Sequence, residues 1–484
     1  MDVTIQRSGN LLQITPVIEQ MQSILTYRHR SMDRSWDPVA RKYVEKFVVR
    51  PVSLCTLEDD KLLATAGFTR RITTWLRERG YNYSFQDFRE GELPAPDYSR
   101  LGNLLEGQDV VLAILASHDC GQIVAPTGYG KSHLIVETCK MYPTLRIAII
   151  SQAVEVVNTV HERLLRAFPQ HVIGKCGDGR NDPKRITVST VRSMLKTNPA
   201  DVDLVLFDEV HTAAAEATAA DLAHFRNARM FGFTASPEGR HDGAELVIEG
   251  IFGPIVHEVP YQAAQEDGLV VQIEVEVYNA TGPSMSTRNS VARARTGLWR
   301  NASRNNLIAE LARMHSATEQ TLILTDKIEH ALHLKALLPD FEVVYNSMTP
   351  EQTTKFRRMG LLRNFDKLCD SKRRAYLRKQ FESGKLRKAI ATGVWHKGVD
   401  FTQLEVCIRA DGSGSEIQAV QIPGRLSRVH EGKRAGKLID FNDSFDSALG
   451  SRSAKRLKSY RSRGWSITHK EAPVPQTFAK QLIS

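Results

Sequence analysis

The chain has 484 residues, of which 42% are hydrophobic and 25% charged, and its formal net charge is +10. This length suits about three domains of ~150 residues each, and no apolar run approaches the ~20 residues that a membrane span needs. The six cysteines are far apart and form no CxxC pair, which argues against a zinc ribbon or a disulfide framework. The N-terminus lacks a signal pattern, so we expect a reduced, cytoplasmic setting without a membrane partner.

The positive charge is concentrated in two segments of the chain. Residues 355–388 contain thirteen Lys/Arg and three Asp/Glu, and residues 451–484 contain eight and one. The remainder of the chain is therefore net acidic. A local excess is typical of a surface that binds a polyanion, although solvated helix faces often carry similar runs. Arg357 and Arg358 are the predicted backbone-phosphate contacts of the first segment.

Residues 1–95 are predicted to form a small α+β accessory domain that recognises the substrate. The hydrophobic pattern predicts a hairpin over residues 3–14, strands near 47–54 and 81–85, and helices over 17–27 and 62–79. Positive and negative side chains are nearly balanced in this domain, so it is not a basic arm.

Strands and helices alternate over the rest of the chain, in two series. The pattern predicts an α/β architecture with two parallel sheets, one in residues 100–280 and one in residues 296–465, followed by a tail over 466–484. A polar stretch over 282–295 is the predicted linker. The predicted strands are 121–125, 146–151, 185–190, 203–207 and 230–235 in the first series, and 321–325, 342–345, 389–392, 406–409 and 437–441 in the second.

The first series opens with a strand, a glycine-rich turn and a helix around Ala125–Ser132, which reads Ala-Pro-Thr-Gly-Tyr-Gly-Lys-Ser. Such a turn presents backbone N–H groups to phosphate oxygens, here from Thr127 to Gly130, with Gly128 inside it and Tyr129 shaping the loop. Lys131 is expected to reach the β- and γ-phosphates, and Ser132 to hold Mg²⁺. Ala125 stands where the usual motif has its first glycine. An ordinary strand-to-helix turn is the alternative.

A second motif supports a nucleotide site. The apolar run 204–207 predicts a buried parallel strand, and it ends in Asp208, Glu209, Val210 and His211. Two carboxylates after a strand suit nucleotide hydrolysis: Asp208 binds Mg²⁺ and Glu209 orients or deprotonates the attacking water. An acidic helix N-terminus, favoured by the helix dipole, is the simpler alternative.

The second series carries further polar motifs. Thr392-Gly393 follows a predicted strand and precedes Gly398-Val399-Asp400, and residues 421–428 read Gln-Ile-Pro-Gly-Arg-Leu-Ser-Arg. If that last segment is helical, Gln421, Arg425 and Arg428 share one face. The two arginines could form a structural salt-bridge site or, opposite a phosphate loop, a pair of arginine fingers.

These motifs, in this order, resemble those of superfamily 2 helicases over about residues 100–465, and most closely the group that includes UvsW, RecG and XPB. The resemblance implies two RecA-like domains in tandem, with ATP and Mg²⁺ bound between them. It also implies a coupling role for His211 between the ATP and nucleic-acid sites. Further nucleotide contacts implied are Gln108, which would read adenine, Gly398, Asp400 and Gln421; the nucleic-acid contacts implied are Ser151, Gln152, Thr190 and Thr392.

The function implied by this resemblance is that of an ATP-dependent 3′→5′ DNA helicase in a bacterial or phage-infected cell. It would act on single-stranded and branched duplex DNA, with RNA in hybrids as a further substrate, as a monomer or transient assembly. The alternatives are an RNA helicase, a double-strand DNA translocase subunit of a restriction or defence complex, and a non-enzymatic nucleic-acid-binding module. The intact Lys131, Asp208, Glu209, Arg425 and Arg428 argue against the last.

Overall fold

The computed structural model describes residues 2–37, 42–89, 94–235, 245–287, 289–364, 366–395, 401–415 and 423–473. The chain divides into two compact units, one of Met1–Ala125 and Gly130–Val259, the other of Pro126–Tyr129 and Pro260–Ser484. Each unit is built on a mainly parallel sheet flanked by helices, so the predicted α/β class is confirmed. No helix among the described residues is long and apolar enough to cross a membrane.

The N-terminal segment contains a five-stranded sheet and a separate two-stranded ribbon. Its elements are β1 (Asp2–Ser8), β2 (Leu11–Thr15), β3 (Thr26–Asp37), β4 (Lys42–Ser53), β5 (Cys55–Glu58), β6 (Lys61–Thr65), α1 (Thr69–Glu78) and β7 (Asn82–Asp87). The larger sheet has the order β5-β6-β2-β1-β7, and β3 pairs with β4 alone. The predicted hairpin over 3–14 is confirmed by the antiparallel pairing of β1 with β2.

Two helix predictions in this segment are wrong in part. Residues Glu19–Leu25 form a 3₁₀ helix that gives way to β3, where a helix to residue 27 was predicted. The helix predicted from residue 62 begins only at Thr69, because Leu62 and Ala64 belong to β6, pair with β2 and are buried alternately.

The N-terminal sheet packs firmly on the rest of its unit. Asn10 Nδ2 donates to the carbonyl oxygens of Phe225 at 2.6 Å and Ala228 at 3.1 Å. Arg7 Nη1 lies 3.0 Å from Asp119 Oδ2. Although this segment has its own apolar core, it belongs to the same compact unit as the first parallel sheet.

The first parallel sheet has eight strands in the order β11-β10-β12-β9-β13-β14-β8-β15. Its unit continues with α2 (Gln108–Ser117), β8 (Cys120–Val124), α3 (Lys131–Met141), β9 (Ile147–Ser151), α4 (Val154–Ala167), β10 (Ile173–Gly177), β11 (Arg180–Asp182), β12 (Ile186–Thr190), β13 (Leu204–Asp208), α5 (Glu216–Leu222), β14 (Arg229–Thr234), α6 (Glu245–Phe252) and β15 (Ile255–Glu258). Only β10 and β11 pair antiparallel. All five strands predicted for this region are present, and β10, β11 and β15 are additional.

The second sheet has seven parallel strands in the order β18-β19-β17-β20-β21-β16-β22. Its elements are α7 (Tyr261–Glu266), β16 (Gln272–Asn279), α8 (Ser290–Ala294), α9 (Ala302–Ser316), β17 (Thr321–Leu324), α10 (Ile328–Leu337), β18 (Glu342–Val344), α11 (Pro350–Arg358), α12 (Ser371–Glu382), β19 (Lys388–Ala391), β20 (Val406–Arg409), β21 (Ala435–Asn442), α13 (Ser447–Ser462) and β22 (Ser466–Lys470). The core lies on both faces, since Leu322 and Leu324 pack in one apolar cluster and Ile323 in the other.

Strand pairing in the second sheet corrects the predicted boundaries. β16 was placed in the first domain, over 100–280, yet it pairs along its whole length with β21 and also with β22. β22 in turn lies within the predicted C-terminal tail. Both ends of the second domain therefore extend beyond 296–465, because the partners of each strand are distant in sequence.

Candidate nucleotide-binding site and nucleic-acid interface

The predicted site residues of the first unit gather at the carboxyl edge of its sheet. β8, β14, β13, β9 and β12 are consecutive neighbours there and run parallel. In register, Thr234 is opposite Val124, Asp208 is opposite Phe233, and Thr190 is opposite Ser151. The phosphate loop, the acidic pair and the predicted nucleic-acid contacts therefore leave the sheet at one edge, where α/β folds bind ligands.

The glycine-rich turn has the backbone that a phosphate loop requires. Gly128 and Gly130 have φ of 101° and 94°, which L side chains rarely adopt. Gly130 caps the N-terminus of α3, and Lys131 Nζ donates across the turn to Ala125 O at 2.9 Å. Tyr129 is buried. The helix dipole and the lysine place positive charge at the concave side of the turn, which suits a polyphosphate.

Gln108 lies directly against this turn. The side chain is fully buried, and its Oε1 accepts a hydrogen bond from Leu105 N at 3.0 Å. A Cβ atom added to Gly130 would stand 2.7 Å from Gln108 Nε2. The glutamine therefore lies close to the turn, while the φ of 94° itself disfavours any side chain at Gly130. Its role in reading adenine stays a prediction.

The acidic pair after β13 combines burial with an unusual backbone. Burial, and secondly the charge of Glu209, raises the pKa of Asp208 to about 7, while the Lys131 ammonium acts in the opposite direction. Glu209 has φ of 59°, a left-handed conformation that costs a non-glycine residue roughly 1–3 kcal/mol. Such strain is typical of functional sites. The hydroxyl of Ser132 and the carboxylate of Asp208 are oxygen ligands of the kind that Mg²⁺ prefers.

His211 connects this acidic pair to the next strand. The ring is buried, with Nδ1 at 3.2 Å from Thr234 Oγ1 and at 3.3 Å from Glu209 Oε2. Thr234 is the last residue of β14, the neighbour of β13. Thr234 falls in the strand predicted over residues 230–235, but its contact with His211 was not predicted.

The second unit places fewer of its predicted residues. Gly398, Asp400 and Gln421 lie outside the described residues. The condition of a helix over 421–428 is met only by a short 3₁₀ helix over Pro423–Ser427 in the described part, and Arg428 follows its end. Arg425 is buried, and its Nη1 donates to Trp395 O at 2.7 Å. The finger roles of Arg425 and Arg428 stay predictions.

The predicted nucleic-acid contacts differ in how accessible they are. Ser151 and Thr190 end their strands but are buried, whereas Gln152 is exposed. Thr392 is also buried, and its backbone N–H donates to Val344 O at 3.0 Å. For the three buried residues, only a limited part of each side chain is accessible to a nucleic acid.

The basic segment 355–388 separates into paired and exposed cations. Arg373 Nη2 lies 2.8 Å from Glu342 Oε2, and Arg378 Nε lies 2.7 Å from Glu382 Oε1. Arg357 and Arg358 are exposed at the C-terminal end of α11. Part of the charge run is therefore neutralised within the fold, and Arg357 and Arg358 are the better phosphate candidates.

Comparison with known proteins finds sequence similarity over part of the chain. Residues 100–239 match the family model described as "Type III restriction enzyme, res subunit". The chain is 23% identical over 339 residues to the "DNA 3'-5' translocase XPB2" of Sulfurisphaera tokodaii, which covers 64% of this chain and 74% of that protein. It is 24% identical over 331 residues to the "ATP-dependent DNA helicase uvsW" of Enterobacteria phage T4, covering 63% and 60% of the two chains.

The fold has counterparts among solved structures. The structure of Dbp5 from S. cerevisiae superimposes with a TM-score of 0.53 at 13% identity, covering 79% of this chain and 93% of that one. At such low identity the likeness concerns the fold alone, and it agrees with tandem RecA-like domains.

Proposed function

We propose that this superfamily 2 helicase, which is an ATP-dependent enzyme acting on nucleic acid, moves along DNA in the 3′→5′ direction and unwinds or branch-migrates branched DNA. The observation that carries the proposal is the shared carboxyl edge of the first sheet. There the phosphate loop follows β8, the acidic pair lies at the end of β13 and Thr234 lies at the end of β14, and these three strands are neighbours. The residues proposed to bind the nucleotide and those proposed to contact nucleic acid therefore lie along one edge of the sheet.

Each residue of the site has a separate task in this proposal. The backbone of Gly128–Gly130 and the Lys131 ammonium bind the β- and γ-phosphates. Ser132 and Asp208 hold Mg²⁺, which neutralises phosphate charge when it is bound. Glu209 orients the attacking water and accepts its proton.

DNA is the proposed substrate because two relatives are named as proteins that act on DNA. Proteins similar in sequence include one named as a DNA 3′-5′ translocase and one named as a DNA helicase. The positive charge of residues 355–388 and 451–484 fits a sugar-phosphate backbone, although backbone contacts do not by themselves separate DNA from RNA. Residues 1–95 are proposed to serve as an accessory domain that selects the geometry of the substrate.

A double-strand DNA translocase of a restriction complex is the second candidate. The family model that matches residues 100–239 is described by a restriction-enzyme subunit, which favours this alternative. A translocase of this kind would be stimulated by intact duplex, whereas a branch-migration helicase would respond most strongly to forks and junctions.

The rate of ATP hydrolysis, measured with different nucleic acids, tests the proposal and ranks the alternatives. We expect the highest rates with forked DNA and four-way junctions, lower rates with single-stranded DNA, and little stimulation by RNA. Stimulation by long intact duplex alone would favour the restriction translocase, and stimulation by RNA alone would favour an RNA helicase. Absence of stimulation by every nucleic acid would contradict the proposal.

A further inference from the structure

β3 and β4 form an isolated ribbon in the N-terminal segment. Twelve residue pairs join the two strands, from Thr26–Ser53 at the base to Asp37–Lys42 at the far end. Neither strand pairs with any other strand of the described residues. At ~3.3 Å per residue the ribbon is about 40 Å long, slightly longer than one ~34 Å turn of a B-form duplex.

The base of this ribbon is fixed to the first compact unit. Leu54 N donates to Leu25 O at 2.8 Å, closing the ribbon where it leaves the N-terminal core. Leu25 is fully buried in that core. The core belongs to the compact unit that contains the first parallel sheet, to which Asn10 and Arg7 attach it. The ribbon is therefore held at one end in a defined position.

Both strands of the ribbon are edge strands, since each pairs only with the other among the strands that the structure describes. A two-stranded hairpin is marginally stable alone in water, and exposed edges invite pairing with other molecules. A partner that covers the ribbon would resolve both problems.

The charge of the ribbon indicates the chemistry of that partner. Residues 26–53 contain seven Lys/Arg and three Asp/Glu, whereas the remainder of residues 1–95 contains seven and nine. Arg28 is exposed, and the Arg50 side chain is 66% exposed although Asp33 lies 3.2 Å from it. The ribbon is therefore net positive and the remainder of residues 1–95 is net negative, so the near balance of the whole segment is a sum of two opposite charges.

We propose that the ribbon β3–β4 enters the major groove of the duplex arm of a branched DNA substrate. That groove is about 12 Å wide and admits a two-stranded ribbon. Arg28 is paired with Pro51 and His29 with Arg50, so Arg28 and Arg50 project from opposite faces. A ribbon that enters edge-on presents one arginine to each wall of the groove. The inference rests on the proposed function, and it identifies the ribbon as the element that binds duplex DNA during ATP-driven movement.

The salt dependence of DNA binding tests the contact of these two arginines. Each phosphate contact contributes about 0.9 to the slope of log affinity against log salt for B-form DNA. Replacing both, as Arg28→Ala/Arg50→Ala, should flatten the slope of the full-length protein for a 20-base-pair duplex probe by about 0.9–1.8, the lower figure applying where Asp33 remains paired with Arg50. The matched control is Lys61→Ala/Arg70→Ala, which removes two exposed cations of the same segment outside the ribbon and should leave the slope unchanged. Equal slopes for wild type and the arginine variant would overturn the inference.

A shortened ribbon tests groove entry rather than charge. In this variant Asn-Gly replaces residues 31–48, which keeps the base of the ribbon and closes it with a favoured two-residue turn. Because the major groove of an RNA duplex is too narrow for side chains to read, the variant should lose affinity for a DNA duplex and bind an RNA duplex as wild type does. ATPase stimulation by single-stranded DNA should be retained, which shows that the variant folds.

The other outcomes of these experiments separate the two proposals. Equal loss of affinity for DNA and RNA duplexes, or unchanged affinity for both, would overturn groove entry. A smaller oligomer in the shortened variant by sedimentation would assign the ribbon to contact between copies and would also overturn it. If no DNA stimulates the wild-type ATPase, the proposed function fails, while the duplex-binding comparison still decides the role of the ribbon.

Discussion

His211 Nδ1 lies 3.2 Å from Thr234 Oγ1, and this contact joins the ends of two neighbouring strands of the first sheet. The same nitrogen lies 3.3 Å from Glu209 Oε2. One imidazole therefore contacts both the carboxylate proposed to act on water and the strand end beside the phosphate loop. In the proposed function, a displacement at the end of β14 would reach the Glu209 carboxylate through this ring.

The first prediction concerns coupling through His211. His211→Ala and Thr234→Ala should each lower the stimulation of ATP hydrolysis by DNA more than they lower the basal rate. The double variant should be no worse than the poorer single one, because contacting residues behave as a unit in a double-mutant cycle. The measurement is the ratio of ATPase rates with and without forked DNA. His224→Ala, at an exposed histidine of the same unit, is the control. Additive losses of stimulation in the double variant would show that His211 and Thr234 act independently.

The second prediction concerns the hydrolytic carboxylate. Glu209→Gln should retain ATP binding and lose about 10²–10⁴-fold in turnover, because only activation of the water is removed. Lys131→Ala should weaken binding as well. The measurements are nucleotide affinity and ATPase rate, with Glu216→Gln as a control at an exposed acid of the same unit. A normal rate in Glu209→Gln would remove that residue from its proposed role.

The third prediction uses the difference between exposed and paired cations in the basic segment. Arg357→Ala/Arg358→Ala should flatten the salt dependence of single-stranded DNA affinity by about 1.5 log–log units, since each lost phosphate contact removes ~0.7–0.9. Arg373→Ala/Arg378→Ala should change it much less, because those guanidinium groups are paired with Glu342 and Glu382. The measurement is affinity across a salt series, with thermal melts to verify folding. Identical slopes in all three proteins would indicate that another surface, such as α13, makes the phosphate contacts.

The fourth prediction concerns a buried ion pair in the second unit. Arg456 Nε lies 2.8 Å from Asp440 Oδ2, and both side chains are almost fully buried. Burial opposes ionisation of Asp440, but the Arg456 guanidinium holds the pKa of its carboxyl below the ordinary value. Arg456→Ala should therefore cost about 3–5 kcal/mol at pH 7, because it leaves a buried charge unpaired.

The pH dependence of this loss follows from the direction of the pKa shift. A lowered carboxyl pKa stabilises the fold above the unfolded value of about 3.9, and this contribution is lost as pH falls through the folded pKa. The difference between wild type and Arg456→Ala should thus be constant near neutral pH and narrow below about pH 4. Urea unfolding followed by tryptophan fluorescence measures it, with exposed Lys455→Ala as the control. A constant difference down to pH 3 would mean that the pair is not ionised.

Strands buried on both faces could be predicted from the sequence, and strands defined by distant partners could not. The run 204–207 before Asp208 is apolar throughout, and all five residues of β13 are buried. β3 contains arginines and aspartates without a regular alternation, and its strand character comes from pairing with β4. β16 was assigned to the wrong domain because its partner β21 lies far along the chain.

The candidate site shows the same division between local and long-range information. The turn around Gly130 and the residue types at Asp208 and Glu209 could be read from local motifs. The contact of His211 with Thr234 depends on β13 and β14 being neighbours, and a strand order is not encoded in either motif. Likewise, the packing of Gln108 against Gly130 requires the position of α2 beside the loop.

Movement of a four-way junction tests most directly whether ATP hydrolysis drives DNA rearrangement. A synthetic junction with homologous, mobile arms is incubated with the full-length protein, and its conversion into separate duplexes is followed on native gels. We predict rapid conversion by wild type with ATP and Mg²⁺, and none by wild type with a non-hydrolysable ATP analogue or by Lys131→Ala with ATP. Equal conversion in all three reactions, or none with wild type while DNA stimulates its ATPase, would contradict the proposed function.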